Sequence, residues 1–372
     1  MDKIILITFV GIQLVSGVIG LGCLDENGNS VDWMVLYKLP KTKTTPVDIV
    51  DEGLGYTYFT SSSSQSGWIL SEKSMNDSSS IPGRILSPLY NTLDDNNIMY
   101  AFYNDQPPHG SPTMIYGHTK GVVAFDKSTG FWLIHSVPHY PPDIEKDGNY
   151  EYPHSGQNYG QTFLCVSLRT QDTANVIGSQ LLYNRPFMYS TKVPDWGQIN
   201  YPNFYQATLG RHIKNPPYYH TAPFKSLQGE LFSSFAKYTD FDKDLYADLV
   251  APSLKCNLLA ETWPNGAGKM NSSCNLQFHV ENIDELDFLF ENANFDDDFT
   301  TTHDHSKWAV AKDKTGKDEK YVCIGDINRM ESQLKRAGGT VCFAHHYAWK
   351  AFTGIIKVIE NCNKVFKVIN IP

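Results

Sequence analysis

Cysteine is scarce in this sequence, seven in 372 residues with no CxxC pair. That density excludes a peptide toxin or a disulfide miniprotein, and a chain of this length buries a large core without dense cross-linking. Beyond the first segment no run approaches the roughly 20 apolar residues that a membrane-spanning helix needs, so no helical anchor is expected. Positive charge is in the minority. Lys and Arg number 31 against 40 Asp and Glu, a formal net charge of −9, which disfavours a polyanionic partner held by bulk attraction at neutral pH. No glycine-rich linker cuts the chain into independent domains.

What is present points to a folded protein with many loops. Apolar residues make up 41% and aromatic residues 13%, too rich for disorder, while 27 Gly and 20 Pro imply many turns. Twelve histidines weaken the charge objection: protonating them all carries the formal charge from −9 to +3. With a reference pKa of about 6.5, most of that change lies above the pH of an acidic vesicle. A nucleic-acid partner would therefore be met in acid.

Lys3, the apolar run Ile4 to Val18 and the small residues Gly17, Gly20 and Gly22 before Cys23 read as a secretory signal peptide over residues 1–20, with mature protein starting near Leu21. In an oxidising compartment Cys23, Cys165, Cys256, Cys274, Cys323, Cys342 and Cys362 allow up to three bridges, whose pairing does not follow from spacing. Sequons at Asn76 and Asn271 suit a glycosylated surface.

Alternation of Val31, Trp33, Val35 and Tyr37, and the aromatic run Ile98 to Tyr103, read as strands, with a Ser/Gly-rich loop region between them. Asp242 is expected to cap a short helix carrying Leu245, Tyr246, Leu249 and Val250 and stopping before Pro252. Trp349, Phe352, Ile356 and Ile359 fall on one stripe of an expected C-terminal helix, which His345-His346 would cap or pack against. Strands and helices mix throughout, which favours a mixed α/β (α+β) architecture.

One internal similarity stands out. His118-Thr119-Lys120 opens an apolar run, Val122 to Phe125, that turns at Asp126 to Gly130 and returns as Phe131 to Ile134 into His135-Ser136. His305-Ser306-Lys307 likewise leads through Trp308 to Ala311, a polar turn from Lys312 to Lys320, and Tyr321 to Ile324 into Gly325-Asp326-Ile327-Asn328. Residues two apart in a strand share a face, so each His and Lys should point together, and each hairpin should return its polar cluster beside them. A pseudo-twofold arrangement of halves spanning 21–195 and 196–372 would bring both pairs to one cleft.

Two facing histidines and two facing lysines suit phosphodiester cleavage. A neutral imidazole attacks phosphorus, a protonated one gives its proton to the departing sugar oxygen, and the lysines hold the phosphoryl oxygens, so no metal is required. The residues alone leave open which histidine attacks; His118 as nucleophile and His305 as acid is the assignment adopted. A single His-x-Lys is ordinarily an exposed strand, and repetition within one local pattern is what raises it. A metal reading competes at His303-Asp304-His305, with Asp296, Asp297 and Asp298 nearby in sequence.

The blocks Val31-Asp32-Trp33 through Tyr37-Lys38-Leu39-Pro40, Tyr103-Asn104-Asp105-Gln106-Pro107, Gly117-His118-Thr119-Lys120-Gly121, Trp132 through Pro138, Tyr159-Gly160-Gln161-Thr162 with Cys165, Asp304-His305-Ser306-Lys307-Trp308 and Cys323 through Arg329 resemble the deoxyribonuclease II family, in order and across nearly the whole mature chain. The resemblance implies a phospholipase D-like pseudo-dimer and an acid, metal-independent endonuclease that cuts DNA to 3′-phosphate and 5′-hydroxyl ends, in lysosomes or after secretion, with no cofactor and no obligate protein partner. It implies catalytic His118, Lys120, His305 and Lys307, with His135, Asp326 and Asn328 in support. It also implies disulfides Cys23–Cys165, Cys274–Cys362 and Cys323–Cys342, leaving Cys256 outside the bridges, the last bridge stapling the second hairpin to the following loop. Gly325-Asp326-Ile327-Asn328 and His135-Ser136-Val137-Pro138 depart from the superfamily's Gly-Ser-x-Asn segment, and Asp126 and Asp313 arrive one position late for its aspartate, so neither is given a role. Two other functions stand beside this one: a secreted binding or toxin-like protein without turnover, and a phosphodiesterase acting on RNA or phospholipid.

Overall fold

The computed structural model describes residues 20–43, 45–312, 320–360 and 362. The signal-peptide run and most of the second hairpin's turn lie outside the described residues. The architecture is mixed α/β in two sheet halves. The first sheet runs Met188–Lys192, Met99–Asn104, Lys120–Phe125, Thr129–His135, Gln161–Arg169, Trp33–Lys38, Tyr56–Thr60, Ile69–Leu70, every neighbour antiparallel. The second runs Tyr219–Lys225, Leu231–Lys237, Gly338–Ala344, Tyr321–Gly325, Lys307–Ala311, Leu258–Thr262, Val280–Phe290, Phe295–Thr300. Its pair Leu258–Thr262 with Val280–Phe290 is parallel. In both, a His-x-Lys hairpin occupies central strands, the most rigid place a sheet offers.

The sheets pack on each other through one apolar cluster holding Trp33, Val35, Val123, Trp132 and Ile134 of the first and Phe232, Trp308, Val322, Ile324 and Phe343 of the second. The inner strands are buried on both faces. Within Trp33–Lys38, Trp33, Val35 and Tyr37 enter that cluster, while Met34 and Leu36 enter a second one on the sheet's other side, where Val31 also packs. Such strands read as near-continuous apolar runs, whatever face an alternation suggests.

Local differences from the sequence reading have clear causes. Asp242 adopts a left-handed conformation, and the cap of the helical stretch beginning at Leu245 is Asp244, whose carboxylate accepts from Ala247 N at 2.6 Å. That stretch includes a π-helical turn, Tyr246–Val250, and continues through Pro252 as Ala251–Leu254; the proline, which has no N–H to donate, directly follows the turn in which the regular helical bonding pattern is already broken. The C-terminal helix ends at Gly354; Ile356–Ile359 is a strand on Val280–Phe290, so the stripe of four joins two elements. His345 caps that helix, its Nδ1 accepting from Ala348 N at 3.2 Å. Strand Tyr56–Thr60 lies in the region read as loop.

The three expected disulfides are present, and Cys256 is buried outside them. Cys342 lies within strand Gly338–Ala344, directly opposite Cys323, so that bridge joins two paired strands and not a hairpin and a loop. The expected boundary between residues 195 and 196 falls in the first turn of helix Asp195–Asn200, between the last strand of the first sheet and the first of the second. Among the described residues no helix is long and apolar enough to cross a membrane.

Candidate active site

At each His-x-Lys motif the backbone crosses to the other half. His118 N donates to Ala337 O, and His305 N to Gly160 O, both at 2.8 Å. Glycine permits both crossings: a Cβ at Gly117 would lie 2.9 Å from the Ala337 carbonyl oxygen of the other half, and one at Gly160 would lie 2.3 Å from Asp304 Oδ1. These two close approaches bring the motifs together. His118 and His305, 7% and 5% exposed, line one cavity of about 220 Å³ together with Asp105, Gln161, Trp263 and Arg336.

His118 Nδ1 lies 3.0 Å from Gln333 Oε1 and 3.2 Å from Arg336 Nη1, and its Nε2 is buried without a partner. His305 Nδ1 lies 3.2 Å from Gln161 Oε1, and its ring packs edge-on against Trp263 with centroids 4.5 Å apart. Burial pushes both imidazoles well below the ordinary histidine value. The charges of Lys120, Arg336 and Lys307 add to this at His118, and Lys307, Lys120 and His118 add to it at His305, against a bond to the Ser136 backbone that favours its charged form.

The lysines are buried and are not among the residues lining the cavity. Lys120 is 2% exposed and pairs with Asp105 at 2.5 Å; Asp105 also binds Arg336 at 2.8 Å. Lys307 is 1% exposed and donates to its own motif's His305 carbonyl at 2.5 Å. Burial drives the Lys307 ammonium well below its usual value, Lys120 adds to this, and Glu261, Asp304 and Asp105 oppose it.

The polar clusters that follow the hairpins serve the opposite motif, not their own. Asp326 accepts from Thr119 Oγ1 at 2.7 Å, and burial lifts its carboxyl to about 7. Ser136 Oγ donates to Gln161 Oε1 at 2.6 Å, the amide that faces His305. His135 does not line the cavity: its ring packs on Tyr140 and Phe163, its Nδ1 accepts from Val137 N at 3.2 Å, and Lys120 adds to the downward push of burial on it. Asn328 is buried with its Oδ1 unpartnered and is likewise not a lining residue.

The side chains of the metal reading diverge. His303 is exposed, with Nδ1 3.2 Å from Thr300 Oγ1, whereas Asp304 is wholly buried and bonded to Tyr37 and Ser306. Asp297 turns inward onto Thr42 and Asp298 outward onto Lys357. Among the described residues the group with metal-holding spacing is His279, Glu281 and Cys362, and Cys362 is already bonded to Cys274.

Sequence reasoning missed Asp105, Gln161, Trp263, Gln333 and Arg336. Asp105 and Gln161 lie inside two of the quoted blocks, so those blocks were the available signal. For the other three no local pattern exists, because they reach the site through the fold.

A family model for deoxyribonuclease II matches residues 22–362. Plancitoxin-1 of Acanthaster planci is 33% identical over 368 residues, 97% of this chain and 99% of that protein. Deoxyribonuclease-2-alpha of Sus scrofa is 37% identical over 347 residues, 92% and 91% of the two chains. Deoxyribonuclease-2-beta of Homo sapiens is 34% identical over 357 residues, 95% of each.

Proposed function

The chain belongs to the deoxyribonuclease II family, and on that footing we propose that it is an endodeoxyribonuclease hydrolysing DNA in acid without a metal, through a phosphohistidine, to 3′-phosphate and 5′-hydroxyl ends. The observation that carries this reading is the shared cavity: imidazoles from two sheets face one space large enough for a phosphodiester link.

In the proposed reaction His118 attacks phosphorus. Its support is the ring of cations, Lys120, Arg336 and Lys307, which opposes protonation of an already buried imidazole and keeps it nucleophilic in acid. His305 protonates the departing 5′ oxygen; the Ser136 contact favours its charged form. His305 then takes a proton from water, whose oxygen attacks the phosphohistidine, the P–N bond breaks and the 3′-phosphate leaves. Lys120 and Lys307 offset the charge growing on the phosphoryl oxygens. Because both imidazoles are held low, protonating the acid requires an acidic medium, and an entering phosphate anion helps by cancelling repulsion from the lysines.

The reading extends to two phospholipase D-like halves, 21–195 and 196–372, behind a cleaved leader. Three disulfides and exposed sequons at Asn76 and Asn271 support passage through the secretory pathway to lysosomes or the exterior. Supercoiled plasmid incubated at about pH 5 in chelator, where exposed histidines are mostly charged, should be cut; an uncut plasmid overturns the proposal. A base quench, which preserves a phosphoramidate, should leave a DNA strand joined through its 3′-phosphate to the peptide carrying His118.

A further inference from the structure

Each histidine of the cavity turns Nδ1 toward the side-chain oxygen of a glutamine, and each glutamine comes from the opposite half. Gln333 of the second half meets His118 at 3.0 Å, and Gln161 of the first meets His305 at 3.2 Å. Both are held in place. Gln161 lies in a central strand and receives Ser136 Oγ at 2.6 Å; Gln333 is buried, and its backbone carbonyl accepts from the buried Lys237 ammonium at 2.7 Å.

We propose that Gln161 and Gln333 are reciprocal positioning residues that keep the proton of each histidine on Nδ1, so that Nε2 faces the substrate, and that their neutrality confines catalysis to acid. An amide oxygen accepts from Nδ1–H and fixes the tautomer without supplying a charge. A carboxylate in the same place would fix the same tautomer and stabilise the imidazolium. The unpartnered, buried Nε2 of His118 fits this assignment, since a lone pair there waits for phosphorus, whereas an N–H would be an orphaned donor. Arg336 Nη1 also faces that Nδ1, at 3.2 Å; its charge opposes protonation of the ring while the nearer amide oxygen takes the proton.

The charges facing the two rings come from both halves. His118 meets Lys120 from its own motif and Arg336 and Lys307 from the other half; His305 meets Lys307 from its own motif and Lys120 and His118 from the other half. The nearby carboxyls are otherwise engaged: Asp105 with Lys120 and Arg336, Asp326 with Thr119, Asp304 with Tyr37 and Ser306, and Glu261 with the Trp263 backbone. A new carboxylate at 161 or 333 would therefore act on its histidine directly.

The proposal rests on the nuclease reading, and its test separates the two. In Gln333→Glu the acid limb of the kcat profile should move up by about one pH unit or more, the shift an adjacent opposite charge produces, with a matching loss of rate at pH 5. In Gln161→Glu the basic limb should move up instead, extending activity toward neutrality. Unmoved limbs overturn the proposal. Exchange of the two effects keeps the positioning and reverses nucleophile and acid. Long-range ¹⁵N spectra of the imidazoles in the intact protein need no activity: both rings should be Nδ1–H, and Gln333→Leu or Gln161→Leu, checked for native melting, should lose that preference. An Nε2–H ring at His118 in the unsubstituted protein would assign the contact to Arg336 and overturn the proposal even if DNA is cut.

Discussion

Lys120 and Lys307 hold equivalent places in two similar hairpins, yet their electrostatic settings differ. Lys120 is tied into a buried ion pair with Asp105, which also holds Arg336. Lys307 has no carboxylate within ion-pair distance among the described residues; it donates to a backbone carbonyl and faces Trp263 at 5.8 Å. Burying an ammonium without an ionic partner is costly, and its depressed pKa records that cost. On the proposed function, a substrate phosphate would be the counterion Lys307 lacks, and the symmetric motif would divide labour: one lysine helps to build the site, and the other would answer charge that arrives with substrate.

The largest effects test what the two hairpins share. His118→Ala and His305→Ala should each lower plasmid cutting at pH 5 by at least ~10³-fold, as loss of a nucleophile or of general acid–base help does; a variant keeping a tenth of the rate would break the equivalence. Next come the lysines. Lys307→Met should cut kcat by ~10²-fold while thermal stability holds or rises, because a desolvated charge is removed. Lys120→Met should lower the melting temperature, leaving Asp105 with Arg336 alone, at a cost on the order of 3 kcal/mol for a broken buried pair. Equal melting curves would erase the distinction drawn above.

A smaller effect sharpens the crossing of polar clusters between halves. The Asp326 carboxyl, lifted from 3.8 to about 7, binds its proton more tightly in the folded state. Its stabilising contribution is full below about 3.8 and is lost as pH rises through about 7. Asp326→Asn should flatten the melting temperature across that window, and an unchanged slope would remove Asp326 from the account. Smallest of all, His303→Ala should leave cleavage within about threefold, since an exposed side chain away from the cavity contributes little; complete loss would return a metal site to consideration.

Much of the fold was legible because it is local. The hairpins at Lys120–His135 and Lys307–Gly325 follow from apolar runs around polar turns, and the pairing of motifs followed from their repetition. The reading failed where an element's end depended on remote packing. Ile356 and Ile359 fit a helical stripe, but the long strand Val280–Phe290 had an edge to fill and drew them into the sheet. The site divides the same way: His118, Lys120, His305 and Lys307 announce themselves by spacing, whereas Gln333 and Arg336 sit in a short, patternless segment 215 and 218 positions from the histidine they touch.

By itself the sequence determined which residue types are offered for the proposed chemistry, the hairpins that carry them and the family to which the chain belongs, since these are written in neighbouring residues. Only the tertiary structure decided that each half completes the other's site, with Gln161 beside His305, Gln333 beside His118 and Asp326 under Thr119. The reason is physical: a hydrogen bond depends on distance in space, and two sheets closing over one apolar core set distances that no order along the chain records.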